Sequence, residues 1–476
     1  MTTDVSSLLD RLPDKRWFGH KGRTVAGIAM VDEAIVEDGP PALVLGIARV
    51  TFTDGPSALY QIPLLVHEDG TADEAESDLD RLRVLGDLMV HGSSIKGSSG
   101  VFQFGGPGLD PLAPPPGEAS IRLIGAEQSN TSLVLDETVI FKLFRQLAIG
   151  PNPDLELNRL LTNEGFAHVP SQVGEAIYEG EVDGADVSID LGVAQRFIPD
   201  GIDGWEEALA RVNGLYDEVD DADAAEDRVA LTEERTGEFL HAIEQLGDAT
   251  ASLHVLLARE EIEHDLMPEP VDEHDLLDWA ATLSLSFGRV VRGLPDELAG
   301  LETALDARLD DFREIADAGV KTRVHGDFHL GQVLATPRGW MMLDFEGEPA
   351  RPLSERRRKQ SPLRDVAGML RSFGYAASAA LMQRATSGTD EWARLEPWAH
   401  AWEELARERF LSAYLTRAHE GRFLPSDRGD LLTMVDVFEI DKAIYEIGYE
   451  QNHRPDWAHI PIRGLSRALN GNGSPA

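Results

Sequence analysis

Between Arg323 and Pro349 the chain reads RVHGDFHLGQVLATPRGWMMLDFEGEP, which sets an aspartate, an amide and a second aspartate in order: Asp327, Gln332 and Asp344. That order suits transfer of a phosphoryl group from magnesium-ATP to an alcohol. Asp327 would be the base facing the hydroxyl, and Gln332 and Asp344 would hold the metal on the phosphates. Phosphoryl transfer asks little covalent chemistry of a protein. It asks that nucleophile, phosphates and metal be held in line. Short apolar runs, Val333-Leu334 and Trp340 to Leu343, flank Pro337-Arg338-Gly339 and predict a small hairpin with the polar residues at its ends.

Protein kinases use a catalytic aspartate, a metal-binding amide and a metal-binding aspartate in the same order. Such a site also needs a cation for the ATP phosphates. Lys142 sits inside the apolar strand VIFKLF, where a lysine costs stability unless something pairs with it. It would meet the phosphates, steadied by Glu156 on the following helix. A lone strand lysine is more often one whose stem crosses an edge with its head in water, but Lys142 follows a polar turn and precedes the acidic residues by a kinase-like distance. That turn, Ser129-Asn130-Thr131-Ser132, would aim N–H groups and hydroxyls at phosphate in place of a glycine-rich loop. No GxxxxGK[ST] sequence is present, which argues against a P-loop site. Gln195-Arg196-Phe197-Ile198 ends the strand that would join two lobes, and its backbone groups would pair with the adenine edge. His325 and His329 alternate in H-x-D-x-H and admit a zinc or iron reading. A kinase-type loop would instead use His325 as scaffold. His254, in ATASLHVLLA, reads as a hydrogen-bonded core histidine.

These side chains need elements to position them. Residues 1 to about 105 open with a short helix and the aromatic turn RWFGHKGR, followed by strands at Ala42 to Phe52 and Ala58 to Val66. A Gly/Pro/Ser-rich stretch from Gly97 to Gly117 reads as a linker. Strands at Ile121 to Gly125, Ser132 to Leu135 and Val139 to Phe144 follow. Pro153 and Asp154 then open a helix that Gly165 would close, and a further strand runs from Val187 to Ile198. Beyond Gly204, amphipathic helices are expected at Thr232 to Glu260, His274 to Val291, Glu297 to Ala318, Leu363 to Ala380, Glu396 to His419 and Leu431 to Gln451. The expected division is a cap subdomain over 1–105, a nucleotide lobe over 118–200 and a mainly helical lobe over 201–476.

The 476 residues suffice for two or three cores, and there are no cysteines, so disulfides and thiolate metal sites are excluded. Acidic residues number 84 against 43 basic ones, giving a net charge of −41 that disfavours nucleic acid and anionic membranes as partners. No apolar run approaches the roughly 18 residues a membrane helix needs. The N-terminus lacks a basic region followed by an apolar core, so no signal peptide is expected and the location is read as cytoplasmic. Acids cluster at Asp73 to Asp80 and Asp217 to Asp227, which read as solvated faces or loops. Lysine is scarce, which fits a saline interior or a coding bias equally.

The blocks HGDFHLGQVL, DFEGEPARPL and SPLRDVAGMLRSF resemble signature blocks of the maltokinases, as do EQSNTSLVLDETVIFKLFR, NPDLELNRLL and DKAIYEIGYEQNHRPDW. HGDxHxxQ alone is shared with aminoglycoside phosphotransferases and choline kinases. The resemblance runs from about residue 12 to 465 and departs from the family pattern at His20 and His453. It implies an α+β, bilobal protein kinase-like (aminoglycoside phosphotransferase-like) fold with an extra N-terminal, mainly β cap. It implies ATP and Mg2+ as cofactors and maltose as acceptor, phosphorylated at its anomeric hydroxyl to maltose 1-phosphate for α-glucan and glycogen synthesis. By the same implication a trehalose synthase is a possible partner, and the chain is expected to be a monomer. Asp327 becomes the catalytic base, Gln332 and Asp344 the magnesium ligands, and Lys142 with Ser129 to Ser132 the phosphate site. Glu346 would face the sugar or orient Asp344. Lys442, Tyr445 and Tyr449 fall at i, i+3 and i+7 on one helical face and would offer a sugar platform, although such stripes are often packing. Arg364 and Asp365 would form an ion pair supporting the catalytic loop. A kinase for another sugar or amino sugar, such as glucosamine, is the first alternative, and a catalytically dead nucleotide-binding module is the second.

Overall fold

In a computed structural model of the protein, residues 3–106, 120–124, 130–219, 227–290, 301–348 and 351–470 are described. The chain divides into two compact units: Met1–Asp200 with Pro349–Leu353, and Gly201–Glu348 with Ser354–Ala476.

The first unit holds two sheets. One takes β1 (Val25–Glu37), β2 (Ala42–Phe52), β3 (Ala58–Val66) and β4 (Ala72–Glu74), with β10 (Gln146–Leu147) on the far side of β3. Successive strand side chains point to opposite faces, and β2 is apolar on both. Leu43, Leu45 and Ile47 enter one core, while Val44, Ala48 and Val50 enter another with Trp17 and Phe18. This two-sided burial explains why β2 and β3 read as continuous apolar runs. The second sheet has the order β5 (Ser93–Lys96), β6 (Gly100–Gly105), β11 (Gln172–Val182), β12 (Ala185–Arg196), β9 (Val139–Phe144), β8 (Asn130–Leu135) and β7 (Ile121–Ile124). Helix α1 (Leu79–His91) packs Leu82, Leu85 and Met89 into the core this sheet shares with β2.

Several expectations need correction here. The described part of the Gly97–Gly117 stretch is not a plain linker, because Gly100–Gly105 is a strand paired with β11. The seven-stranded sheet therefore draws β5 from before that stretch and β6 from within it. β11 is passed over in the sequence because Gly174, Gly180 and three glutamates dilute its apolar pattern. Nor are the acids of 73–80 all solvated. Glu74 and Glu76 pair with the fully buried Arg145 at 3.1 and 3.2 Å, Lys15 also meets Glu74, and Asp78 caps α1. The seam of Trp17, lying 4.0 Å from the Arg145 guanidinium, joins the same cluster.

The second unit is mainly helical: α3 (Gly204–Glu218), α4 (Arg228–Leu257), α5 (Glu273–Val290), α6 (Leu301–Arg313), α7 (Leu353–Arg356), α8 (Leu363–Arg384), α9 (Asp390–Ala418), α10 (Arg428–His453) and α11 (His459–Asn470). Here β13 (Ile202–Asp203) lies on β16 (Val333–Thr336), which pairs with β17 (Gly339–Met342), while β14 (Glu269–Pro270) pairs with β15 (Val320–Lys321). The Val333/Met342 to Thr336/Gly339 register is the hairpin expected around Pro337. Asp203, Asp227 and Asp427 cap α3, α4 and α10 through their carboxylates. α9 begins at Asp390 rather than near Glu396. Thr389 supplies the N-cap, and Pro397 is absorbed inside the helix instead of opening it. Among the described residues no helix is long and apolar enough to cross a membrane.

Candidate active site

The loop bearing Asp327 is held from behind. Thr322 exchanges backbone bonds of 2.9 and 2.8 Å with Gln360, which fixes the chain as it leaves β15. Asp365, 1% exposed at the start of α8, then accepts the N–H of His325 at 2.8 Å and of Gly326 at 2.9 Å. His254 of α4 donates from Nε2 to Asp365 at 3.2 Å, with its Nδ1 2.8 Å from the Tyr414 hydroxyl of α9. Burial pushes the Asp365 carboxyl up, but these donors outweigh it and hold the group below its ordinary range. Gly326 has φ +83°, and a Cβ there would sit 3.1 Å from the Gly347 Cα, itself at φ +70°. Only glycine lets the two loops approach so closely.

His325 is wholly buried between Phe328 and Phe345, at ring distances of 5.1 and 4.9 Å, and donates from Nε2 to the Leu343 carbonyl at 2.7 Å. That is the scaffold arrangement expected of a kinase-type loop. His329 is likewise committed, since Nδ1 accepts the Gly331 N–H at 3.1 Å while Nε2 lies 3.9 Å from Asp327.

Asp327 meets a partner from far along the chain. Lys442 of α10 places Nζ 3.0 Å from Asp327 Oδ1 and 3.4 Å from Glu348 Oε1. Burial alone would raise the Asp327 pKa, but Lys442 and then His329 reverse the effect and leave it lowered. Lys442 is pulled the other way, well above an ordinary lysine, by Asp327 and Glu348 against the opposing effect of burial. Tyr445 and Tyr449 continue the same helical face, 36% and 43% exposed. They are therefore not a core stripe. His453 lies flat on Tyr449, with ring centroids 4.4 Å apart.

Gln332 and Asp344 stand at the two ends of the hairpin, tied by the Leu343 N–H to the Gln332 carbonyl at 2.9 Å. Asp344 has φ +61°, a left-handed conformation uncommon for aspartate. Carboxamide and carboxylate oxygens form the donor set a hard dication takes, so these residues fit magnesium. Glu346 is buried, and Arg356 bonds its carbonyl at 3.0 Å and lies 3.7 Å from its carboxylate. The proposed Arg364–Asp365 ion pair does not form. Consecutive helical residues diverge, and Arg364 pairs with Asp441 at 2.6 Å while lying 4.5 Å over the Phe438 ring.

In the first unit Lys142 is buried on β9 and pairs with Asp154 at 3.2 Å. Asp154 lies in the first turn of α2 (Pro153–Asn163), two residues before Glu156, and is fixed by Asn158 Nδ2 at 2.8 Å. The sequence reading singled out Glu156 and missed Asp154, although an acid in the first turn with an amide at i+4 was a visible signal. Ser129 lies outside the described residues. Asn130, Thr131 and Ser132 are buried on β8 rather than in a turn, with Ser132 directly across from Lys142. Thr131 gives its hydroxyl to Glu76 at 2.7 Å, within the Arg145 cluster, and so acts structurally. Of the strand-end residues, the Arg196 N–H goes to the Ser171 carbonyl, the Phe197 N–H to the Thr138 carbonyl, and the Gln195 side chain to Asn158. Two of the four amides expected to face adenine are thus already engaged.

A family model described as the maltokinase N-terminal cap domain matches residues 12–89. A glucosamine kinase of Mycolicibacterium smegmatis (strain ATCC 700084 / mc(2)155) is 27% identical over 360 residues, covering 73% of this chain and 79% of the relative. A glucosamine kinase of Streptacidiphilus jiangxiensis is 26% identical over 365 residues, covering 75% and 74%. Among solved structures, a glucosamine kinase in complex with glucosamine, ADP and inorganic phosphate aligns with a TM-score of 0.70 at 20% identity, covering 98% of this chain and 100% of that one. The chain shares that fold. It is α+β and kinase-like, with an N-terminal cap. The cap match agrees with the maltokinase resemblance over its own span, whereas the relatives matched over longer spans carry the name glucosamine kinase.

Proposed function

We propose that this protein is an ATP-dependent sugar kinase in which Asp327 is the base, Gln332 and Asp344 hold magnesium, and Lys142 meets the phosphates. The observation that carries the reading is Asp327 itself. Its loop is locked by Asp365, its carboxylate is partly exposed, and its pKa is held low enough to be ionised at neutral pH. The sugar oxygen bonds to the γ-phosphorus as its proton passes to Asp327, and the bond to the β-phosphate oxygen breaks to release ADP. An aspartate needs no raised pKa for this, because proton transfer comes late in a loose transition state. Bound magnesium would offset charge on the phosphates.

For the acceptor we propose maltose, phosphorylated at the anomeric hydroxyl. Support comes from the cap match at 12–89 and from the face beside Asp327 formed by the half-buried Lys442 and the exposed Tyr445 and Tyr449. The second reading is glucosamine, favoured by the names of the relatives. Incubation with ATP and Mg2+ over a sugar panel, with the phosphorylated carbon located by NMR, separates the two. Asp327→Asn is expected to cut turnover by about 100-fold or more while leaving ATP affinity nearly unchanged. Wild-type turnover in that variant would remove Asp327 from the role of base.

A further inference from the structure

Only seven lysines occur in the chain, and one of them, Lys442, is spent against the proposed base. Its ammonium lies 3.0 Å from Asp327 Oδ1 and 3.4 Å from Glu348 Oε1, so one cation bridges two carboxylates. The next acid on α10, Glu446, is already matched by Arg371 at 2.6 Å. Tyr445 lies 5.2 Å from the same ammonium and borders it on the exposed side. The carboxylates around the acceptor hydroxyl are therefore answered from within the protein.

We propose that Lys442 sets the charge class of the acceptor: it admits a neutral sugar and rejects an amino sugar. The inference rests on the sugar-kinase reading of Asp327 and deepens it. The attacking hydroxyl must come within hydrogen-bond reach of Asp327, which brings it close to Lys442. An ammonium elsewhere on the same hexose ring then falls within the roughly 8 Å over which charges interact at physiological ionic strength. At such separations, in the partly screened environment of a protein surface, two like charges change relative affinity by roughly 30-fold. Because Asp327 and Glu348 hold Lys442 well above the ordinary lysine range, it keeps its charge at working pH.

The test compares glucose with glucosamine, which differ by one amino group, and uses maltose as the reference acceptor. Affinities would be measured by calorimetry, and kcat/KM with ATP and Mg2+, for wild type, Lys442→Met and Lys442→Arg. Wild type and Lys442→Arg should favour glucose over glucosamine, and Lys442→Met should move the ratio roughly 30-fold toward glucosamine. An unmoved ratio in Lys442→Met overturns the proposal, and partial unfolding does not mask a moved one, because it lowers the apparent affinity for both sugars alike. Equal binding of the two sugars by wild type overturns it without any variant. Phosphorylation of glucosamine in preference to glucose sinks the role of Lys442 and leaves the kinase reading standing. The expected binding ratio without turnover of any sugar sinks the kinase reading and leaves the selection by charge.

Discussion

On the proposed reading, Asp327 faces two opposed demands, to be ionised before the reaction and to accept a proton during it. Burial favours the neutral acid, while Lys442, His329 and His325 favour the carboxylate and prevail. Lys442 is in turn set by Asp327, Glu348 and Glu446. Removing its charge should therefore raise the pKa of Asp327. In Lys442→Met the acid limb of the kcat/KM profile is expected to move to higher pH by about one unit, since an opposite charge at this distance shifts a carboxylate by roughly 1 to 3 units. The measurement is a pH–rate profile of both proteins on the same neutral sugar, and an unmoved limb would separate Lys442 from the ionisation of Asp327. His325 and Gln332 belong to this scale as well. The setting of His325 is legible within 323–349, because the groups that hold it, Phe328, Leu343 and Phe345, are near neighbours along the chain, and Gln332 is proposed from the same stretch.

At the scale of elements, the loop geometry comes from helices rather than from the loop itself. α8 presents Asp365 to two successive backbone N–H groups, and α4 and α9 orient it through His254 and Tyr414. Asp365→Ala would leave those donors buried without an acceptor. A cost of roughly 3 kcal/mol or more is expected in chemical unfolding, because breaking a buried charged network strands its partners. Turnover of the fraction still folded should also fall more than tenfold, as the loop loses its register. Loss of stability with full turnover would reduce Asp365 to a packing role. Arg364, its neighbour in sequence, serves α10 through Asp441 instead. Adjacent residues on a helix look in different directions, so the pair that sequence proximity suggested had no geometric basis.

For the whole molecule, the excess of acids is the governing fact. A net charge of −41 repels itself most when the chain is compact. Some acids are matched internally in the helical unit. Glu403 takes Arg463 and Arg467, Glu439 takes Arg407, and Glu446 takes Arg371. These buried pairs are screened little by salt, whereas repulsion among exposed carboxylates is screened strongly. Raising KCl from about 0.1 to about 1 M, where the Debye length falls to roughly 3 Å, should therefore raise the Tm. A melting temperature that falls across that range would show exposed ion pairs to outweigh the repulsion. Glu403 has its pKa lowered to about 2, chiefly because its three arginines overcome burial. Its stabilisation is present above the unfolded carboxylate value and is lost as pH falls toward 2.

The amino-acid sequence alone determined the local grammar of this protein: the Asp327, Gln332 and Asp344 order, the hairpin around Pro337, the Pro153-Asp154 start of α2, and a lysine inside an apolar strand. Each of these is written in residues a few positions apart, where turn chemistry, capping and periodicity act. The tertiary structure decided which charges meet. Lys442 reaches Asp327 across 115 residues, and His254 reaches Asp365 across 111. Asp154 answers Lys142 from the next helix, while Thr131 turns to Glu76. Charge type and periodicity mark which residues need partners, but the partner is chosen by the packing of distant elements, and a single chain of letters carries no record of that distance.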